Sequence, residues 1–147
     1  MLTIQVDDKA LRDVLATLTR QMSDLTPVMN SIGMEMEGRV SGRFQSRTDP
    51  NGQAWVPWAP ATLEYYPQKG NRKLLDRYGD MLLSLSHQAT KDSVRIGFGK
   101  AYSTYHEFGT KTMPRRGLLF ADPEAGTMGA GDEAAVLDII GLYLTPD

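Results

Sequence analysis

The sequence predicts the α+β fold class, with N-terminal amphipathic helices packed against a small antiparallel sheet and a further helix at the C-terminus. Three observations predict it. Apolar residues recur at helical spacing near both ends of the chain, apolar and polar residues alternate in short segments between them, and no internal repeat or linker divides the sequence. Because 147 residues suffice for one hydrophobic core, we expect a single domain over residues 1–147.

The first third of the chain predicts a short strand and two helices. Residues 2–6 alternate between apolar and polar side chains, and Asp7 and Asp8 are suited to cap the helix that follows. A second helix is expected to begin at Thr26-Pro27, because proline fits the first helical turn. The two apolar stripes are Leu11, Val14, Leu15, Leu18, Met22 and Leu25 in the first helix, and Val28, Ile32, Met36, Val40 and Phe44 in the second.

Residues 46–60 predict a loop, because Asp-Pro followed by Asn-Gly is strong turn chemistry. Trp55 and Trp58 are expected to anchor this loop by packing it down. Pro60 and Thr62 are expected to open a short helical turn after it.

The region after the loop predicts a short helix followed by a hairpin. Residues 92–99 place Val94, Ile96 and Phe98 on one side, which is typical of a strand, and residues 86–90 are its expected partner. The helix before them is expected to bury a face formed by Leu74, Leu75, Tyr78, Leu82 and Leu85.

The last third predicts two helices separated by irregular chain. Residues 101–109 are expected to form a short helix ended by Gly109. Residues 118–120 are expected to be a buried strand, and residues 121–133 a mobile loop rich in small side chains. The C-terminal helix presents an apolar face of Val136, Leu137, Ile140 and Leu144.

Charge is segregated along the chain, although the formal net charge is only −2. Residues 39–116 carry thirteen basic and six acidic side chains, whereas residues 117–147 carry six acidic and no basic ones. Such asymmetry favours an oriented association, including self-association in which the acidic end of one copy meets the basic middle of another. The alternative is that both signs fold onto the surface of one molecule.

Little in the sequence supports catalysis or a cofactor. There are no cysteines and only two histidines. His106-Glu107 begins a His-Glu-x-x-His zinc motif, but Thr110 stands where the second histidine is required. A hydrolase that uses His106 and Glu107 stays an alternative hypothesis. We expect no enzyme activity, no cofactor and no metal, and no membrane span, since no apolar run approaches roughly 20 residues.

The stretch YHEFGTKTMPRRGLLF, residues 105–120, is typical of a protein-binding loop. Tyrosines at 102 and 105 and a phenylalanine at 108 are spaced by three, which places the rings along one side of a short helix. A proline then stiffens the chain before two arginines, and arginine beside aromatic residues is enriched in protein interfaces. We expect these side chains to bind a partner: Tyr102, Tyr105, His106, Phe108, Lys111, Pro114, Arg115 and Arg116. Charge reversal at both arginines is then expected to abolish association and to leave the fold intact.

The alternative function is a small DNA-associated protein that uses the basic middle segment. It would bind phosphate groups through basic side chains, and its binding would weaken steeply with salt. The candidate residues are Arg39, Arg43, Lys69, Arg72 and Lys73. The basic residues are dispersed over a long stretch and the sequence contains no recognisable nucleic-acid-binding motif, so nucleic acid is the less favoured partner.

Five short motifs, in order, resemble the virion morphogenesis, or tail completion, proteins of Mu-like tailed bacteriophages. They are Asp49-Pro50 with Gly52 and Trp55; Pro60 with Thr62; Leu75, Gly79 and Met81; Tyr102, His106 and Gly109; and Pro114 with Arg116. The resemblance covers residues 43–120. Four positions depart from the family pattern: Trp58 stands at an aliphatic position, Met81 at a leucine, Ser103 at an alanine, and Gly117 where a second proline is usual.

The resemblance implies a structural role without catalysis, in a protein that completes the tail or head of a phage or prophage particle and enables the two to join. Its partners would be other head, neck or tail proteins. A ring-forming homo-oligomer would place one patch of each subunit against a different patch of its neighbour. The expected locations are the cytoplasm of the bacterial host during assembly, and then the neck or tail of the virion.

Overall fold

The computed structural model describes residues 2–3, 9–57, 59–60 and 80–144. Its elements in chain order are β1 (Leu2–Thr3), α1 (Lys9–Gln21), α2 (Thr26–Ser46), α3 (Asp80–Leu83), β2 (Leu85–Ala89), β3 (Val94–Phe98), α4 (Ser103–Phe108) and α5 (Ala130–Tyr143). This is the predicted α+β arrangement. The following residues, on which expectations were placed, lie outside the described ranges: Asp7, Asp8, Trp58, Thr62, Lys69, Arg72, Lys73, Leu74, Leu75, Tyr78 and Gly79.

The two N-terminal helices are confirmed, and their apolar stripes contribute much of the core, although α1 ends at Gln21, before Met22 and Leu25 of its predicted stripe. α2 begins at Thr26, whose backbone N–H donates to the Asp24 carboxylate at 2.9 Å. Every residue of the predicted α2 stripe, from Val28 to Phe44, is buried. α2 ends where Arg47 adopts a left-handed backbone conformation, with φ 57°. Buried residues of α2 belong to both hydrophobic clusters of the core, and so do Ile96 and Phe98 of β3, so these two elements join the clusters.

A three-stranded antiparallel sheet packs against α2. The strand order is β1-β3-β2, and β2 pairs with β3 from Leu85↔Phe98 to Ala89↔Val94. The predicted hairpin is therefore confirmed. Ile96 and Phe98 are buried, as the alternation in the sequence predicts.

The segment before the hairpin differs from the prediction. The described part of α3 ends at Leu83, and Leu85 lies in β2 rather than on a helical face. The turn ends at Ser84, whose hydroxyl donates to the Met81 carbonyl oxygen at 2.6 Å and so competes with continuation of the helix. Met81 is the buried residue of this turn, while Leu82 is half-buried.

The prediction of a strand at residues 118–120 is wrong. Leu118, Leu119 and Phe120 are buried, as expected, but they belong to no strand. Their backbone N–H groups donate to the Glu107 carboxylate, so this segment needs no neighbouring strand. The stretch that follows folds into a turn, and α5 begins at Ala130, within the residues predicted to be a loop.

α5 joins the acidic end of the chain to its basic middle. Asp132 is fully buried and accepts hydrogen bonds from Nη2 of Arg43 at 2.5 Å and from Nε of Arg39 at 2.8 Å. The hydroxyls of Tyr143 and Ser31 are hydrogen-bonded at 2.8 Å. The acidic Asp132 of the C-terminal segment thus pairs with two arginines of the basic middle segment in the same molecule.

Two glycines of α2 provide a matched test of this packing. A Cβ at Gly33 would lie 2.6 Å from Cγ of His87, whose ring is held by Glu37 and Asn30 at 2.8 Å each. Gly33→Ala is therefore expected to lower the free energy of unfolding by about 1–3 kcal/mol. Gly38 has no atom within 4 Å of that position, so Gly38→Ala is expected to raise it by about 0.5–1 kcal/mol. Urea denaturation measures both, and effects of the same sign would contradict the packing of β2 on α2.

Candidate partner-binding site

Three aromatic side chains are exposed on α4 and on the residue before it. Tyr102, Tyr105 and Phe108 expose 42 %, 58 % and 41 % of their surface, respectively. Their spacing of three residues places them along one side of the helix. We call these three side chains the aromatic ridge. Clustered exposed apolar surface of this kind is typical of interaction sites.

α4 is six residues long and depends on contacts at both ends. At its start, Ser103 is fully buried and its hydroxyl donates to the Lys100 carbonyl oxygen at 2.7 Å. At its end, Gly109 has φ 74° and its N–H donates to the Tyr105 carbonyl oxygen at 2.8 Å, which confirms the predicted helix end. A Cβ at Gly109 would lie 3.0 Å from the backbone nitrogen of Arg115, so the chain folds back closely here.

Glu107 points from α4 into the protein and is fully buried. Its carboxylate accepts the N–H of Leu118, the N–H of Phe120 at 2.6 Å and the N–H of Leu119 at 3.1 Å. Burial raises the pKa of Glu107, and these donors together with the Arg115 guanidinium oppose that rise by favouring the carboxylate. Because both carboxylate oxygens are occupied, the hydrolase alternative has no free base at this position.

The guanidinium groups of Arg115 and Arg116 donate to carbonyl oxygens of this same chain. Arg115 donates to Glu107 at 2.8 Å and to Phe120 at 2.6 Å. Arg116 is only 7 % exposed and donates to Val56 at 2.7 Å. Charge reversal would leave these carbonyl oxygens without donors. The expectation that such a variant keeps its fold is therefore corrected, because both side chains brace the loop.

Residues of the family-like motifs converge beneath the ridge. Trp55 is buried, as predicted for a loop anchor, and its indole N–H donates to the Gly117 carbonyl oxygen at 2.9 Å. The Phe44 ring meets Trp55 edge-on, with 5.6 Å between centroids. The backbone N–H of Arg116 donates to the carbonyl oxygen of His106 at 2.8 Å. The loop that contains Trp55, the helix α4 and the arginine segment thus form one hydrogen-bonded frame.

His106 lies between the ridge and this frame. Its ring meets Tyr102 edge-on, with 6.4 Å between centroids and 87° between planes. Its Nδ1 is buried and has no hydrogen-bond partner in the described part of the chain. Burial, and secondly the charge of Arg116, lower the pKa of His106. The imidazole is therefore neutral at pH 7.

The connection from α4 to the arginines carries the remaining predicted residues. Lys111 and Pro114 are exposed, and the backbone N–H of Thr110 closes the turn by donating to the Met113 carbonyl oxygen at 2.9 Å. Lys111 forms no ion pair with another described residue. The structure thus places the predicted residues in one region, in which the aromatic and lysine side chains are exposed and the arginine side chains turn inward.

In the described part of the chain, few of the residues that metal binding or DNA binding would need are available. Among residues 9–57, 59–60 and 80–144, no group of three or more metal-binding side chains occurs. Arg39 and Arg43, two of the candidates for phosphate binding, are bonded to Asp132, and the other candidates lie outside the described ranges. No described helix is long and apolar enough to span a membrane.

The structural role of Glu107 was not evident from the sequence. An acidic residue next to a histidine indicated possible catalysis rather than a buried acceptor. One signal was available: residues 118–120 are apolar enough to be buried, and the hairpin at 86–99 already accounts for the nearest predicted strands. A buried backbone without a strand partner must find its acceptors elsewhere, and a nearby carboxylate is one source.

These features define a class of protein: a small α+β protein with an exposed aromatic ridge held on a hydrogen-bonded frame. The model of the Phage virion morphogenesis family matches residues 6–145. The chain therefore belongs to the phage virion morphogenesis family, as its motifs indicated, and its role is in the structure and assembly of phage particles. No curated protein and no solved structure matches the chain.

Replacing the Glu107 carboxylate by an amide tests the frame. In Glu107→Gln the amide turns an NH₂ donor toward backbone N–H donors, so at least one buried N–H loses its acceptor. We expect the free energy of unfolding at pH 7 to fall by about 1–3 kcal/mol. Glu124→Gln, at an exposed glutamate, is the control and is expected to change it by less than about 0.5 kcal/mol. Urea denaturation measures both; a Glu107→Gln variant as stable as the wild type would contradict the arrangement.

The lowered pKa of His106 predicts how stability depends on pH. The unfolded chain binds a proton at His106 near pH 6.5, and the folded chain binds it only at lower pH. The contribution of His106 to the free energy of unfolding is therefore complete above pH 6.5 and declines as the pH falls below it.

Urea denaturation at a series of pH values from about 7.5 to 5 measures this decline. His106→Phe is expected to remove it, whereas Thr104→Ala, at an exposed position of the same helix, is expected to retain it. The same pH profile in His106→Phe as in the wild type would show that the lowered pKa has been assigned to the wrong group.

Proposed function

We propose that this protein completes the tail or the head of a phage particle and enables the two to join, acting through protein–protein contacts without catalysis. The observation that supports this proposal is the aromatic ridge, exposed on a braced helix in a chain of the phage virion morphogenesis family. In the proposed site, the exposed Tyr102, Tyr105, Phe108, Lys111 and Pro114 make the contact, and His106, Arg115 and Arg116 support them from within.

The ridge suits a protein partner for physical reasons. Tyrosine and phenylalanine bury a large area while ordering few rotatable bonds. Because Glu107 and Gly109 already fix α4, a partner does not have to order this helix, and less entropy is lost on association. In this proposal Arg115 and Arg116 act by positioning the chain beneath the ridge, and the exposed side chains make the contact.

The proposed partners are other head, neck or tail proteins, together with further copies of this chain in a ring. Ring closure requires that one patch of each subunit meets a different patch of its neighbour. Lys100 and Lys111 flank α4, whereas the exposed acids Asp122, Glu124 and Asp138 come later in the chain. Opposite charges of this kind orient a head-to-tail contact. We place assembly in the host cytoplasm and the assembled protein at the neck or tail.

Electron microscopy of lysates from a phage that lacks this gene tests the joining role. Without the protein, the lysate is expected to contain separate heads and tails. Addition of purified wild-type protein is expected to yield joined virions. Normal virions in the untreated lysate would remove the joining role altogether.

The ridge is tested in the same assay with a Tyr105→Ala/Phe108→Ala double variant. Both side chains are exposed, so we expect a fold and a Tm close to those of the wild type. Loss of two aromatic anchors is expected to reduce joining activity by at least about tenfold, since interface anchors contribute about 2 kcal/mol or more each. Leu142→Ala truncates another apolar side chain, 83 % exposed on α5, and is expected to join at the wild-type level. Full activity of the double variant would exclude the ridge and leave the joining role standing.

A further inference from the structure

The outer edge of β2 carries backbone groups that no other described strand pairs with. Two bonds fix the alternation of the β2–β3 ladder: Thr90 N–H to the Ser93 carbonyl oxygen at 2.8 Å, and Gly99 N–H to the Ser84 carbonyl oxygen at 3.1 Å. Hydrogen-bonded pairs alternate along an antiparallel ladder, so every second residue of β2 bonds to β3. The residues whose N–H and C=O groups point away from β3 are Leu85, His87 and Ala89.

Among the described residues, this edge has no Asp, Glu, Lys or Arg side chain, no proline and no bulge, which are three of the features that protect edge strands. Natural edges are protected by charged residues, by proline or by a bulge. β2 has the sequence LSHQA, without Asp, Glu, Lys, Arg or proline, and its register with β3 runs without a bulge. Ser86 and Gln88 expose neutral side chains beside the open edge. A further extended strand can therefore add to β2 without meeting a like charge.

We propose that two copies of this chain pair through their β2 edges, antiparallel across a two-fold axis at His87. The three residues whose backbone groups point away from β3, Leu85, His87 and Ala89, are placed symmetrically about His87. Leu85 of one copy therefore meets the partner's Ala89, and His87 meets the partner's His87. All three positions are hydrogen-bonded pairs in this register, so about six backbone hydrogen bonds form. The contact merges two three-stranded sheets into one.

The ends of β2 are complementary as well, which favours a second copy over an unrelated peptide. In the antiparallel register, the α3 end of one strand lies beside the partner's 90–93 turn. This brings the exposed Asp80 to the end occupied by the exposed Lys91 of the other copy, with opposite charge. Leu83, which is 82 % exposed, comes opposite the same lysine, whose aliphatic stem covers it. Asp92 accepts a hydrogen bond from Thr90 at 3.0 Å, which holds it within its own turn.

Pairing through β2 is independent of the aromatic ridge. The ridge lies on α4 and on the residue before it, whereas β2 is an edge of the sheet. A two-fold contact joins two copies and then stops, so ring closure in the virion would use a different surface. The two proposals therefore stand or fall separately.

Sedimentation equilibrium of the purified full chain tests the pairing. We expect a monomer–dimer equilibrium in the wild type. Ala89→Pro removes one outward N–H and leaves the β2–β3 ladder intact, so we expect it to weaken dimerisation at least about tenfold. Leu142→Ala, at an exposed residue of α5 outside both proposed surfaces, is expected to dimerise like the wild type. A wild type that stays monomeric at every concentration overturns the proposal, and so does undiminished dimerisation of a folded Ala89→Pro chain.

Cross-linking that depends on register keeps the test decisive if Ala89→Pro does not fold. The natural chain has no cysteine. In the proposed register Ser86 lies opposite the partner's Gln88 in a non-hydrogen-bonded pair, with Cα atoms about 4.5 Å apart, which is within disulfide range. A mixture of Ser86→Cys and Gln88→Cys chains is expected to form several-fold more disulfide-linked dimer than either variant alone.

The control replaces the second cysteine by one on the next strand. Arg95 is exposed on β3, which lies one strand further from the edge, so Ser86→Cys mixed with Arg95→Cys is expected to cross-link weakly. Equal cross-linking in the two mixtures would mean that the chains meet without this register, and the proposal would then be abandoned.

Discussion

The burial of the Glu107 carboxylate among three backbone N–H groups is the interaction on which the site depends. Residues 118–120 are among the most buried in the chain, yet they belong to no strand. Each N–H in such a place must find an acceptor or costs about 1–3 kcal/mol. One side chain satisfies all three and thereby ties α4 to the core. The direction of the ridge follows from this attachment, because ridge and carboxylate belong to the same short helix.

Arginine side chains complete the same arrangement by donating hydrogen bonds to the carbonyl oxygens of this segment. Arg43 donates to the Leu118 carbonyl oxygen at 2.6 Å while it also pairs with Asp132, and Arg115 donates to Phe120. An irregular segment is thus held by the charged groups of Arg43, Glu107 and Arg115 rather than by a sheet. Buried charges are costly to remove from water, and they are tolerated where each finds partners of good geometry. Removal of one partner would leave the other charge buried and unpaired, which is strongly destabilising.

Periodicity predicted the elements whose side chains repeat. α2 and the β2–β3 hairpin lie where the sequence placed them, because a buried stripe and an alternating face both leave a regular trace. The outward part of the site was predictable in the same way, from the spacing of its three aromatic residues. The inward part was not, since apolar composition at 118–120 reports burial and does not report which group accepts the backbone hydrogen bonds. The adjacent Arg115 and Arg116 were predicted to lie on the surface because arginine is mostly exposed in proteins.

The two sides of α4 carry separate tasks. A helix of six residues does not persist in water by itself, so its inward residues Ser103 and Glu107 supply the stability. Its outward residues Tyr105 and Phe108 leave apolar area in water, which contributes nothing to that stability and gains free energy only when a partner covers it. Damage to the inward side therefore lowers stability and association together, whereas damage to the outward side lowers association alone. That asymmetry distinguishes a ridge that binds a partner from one that is merely exposed.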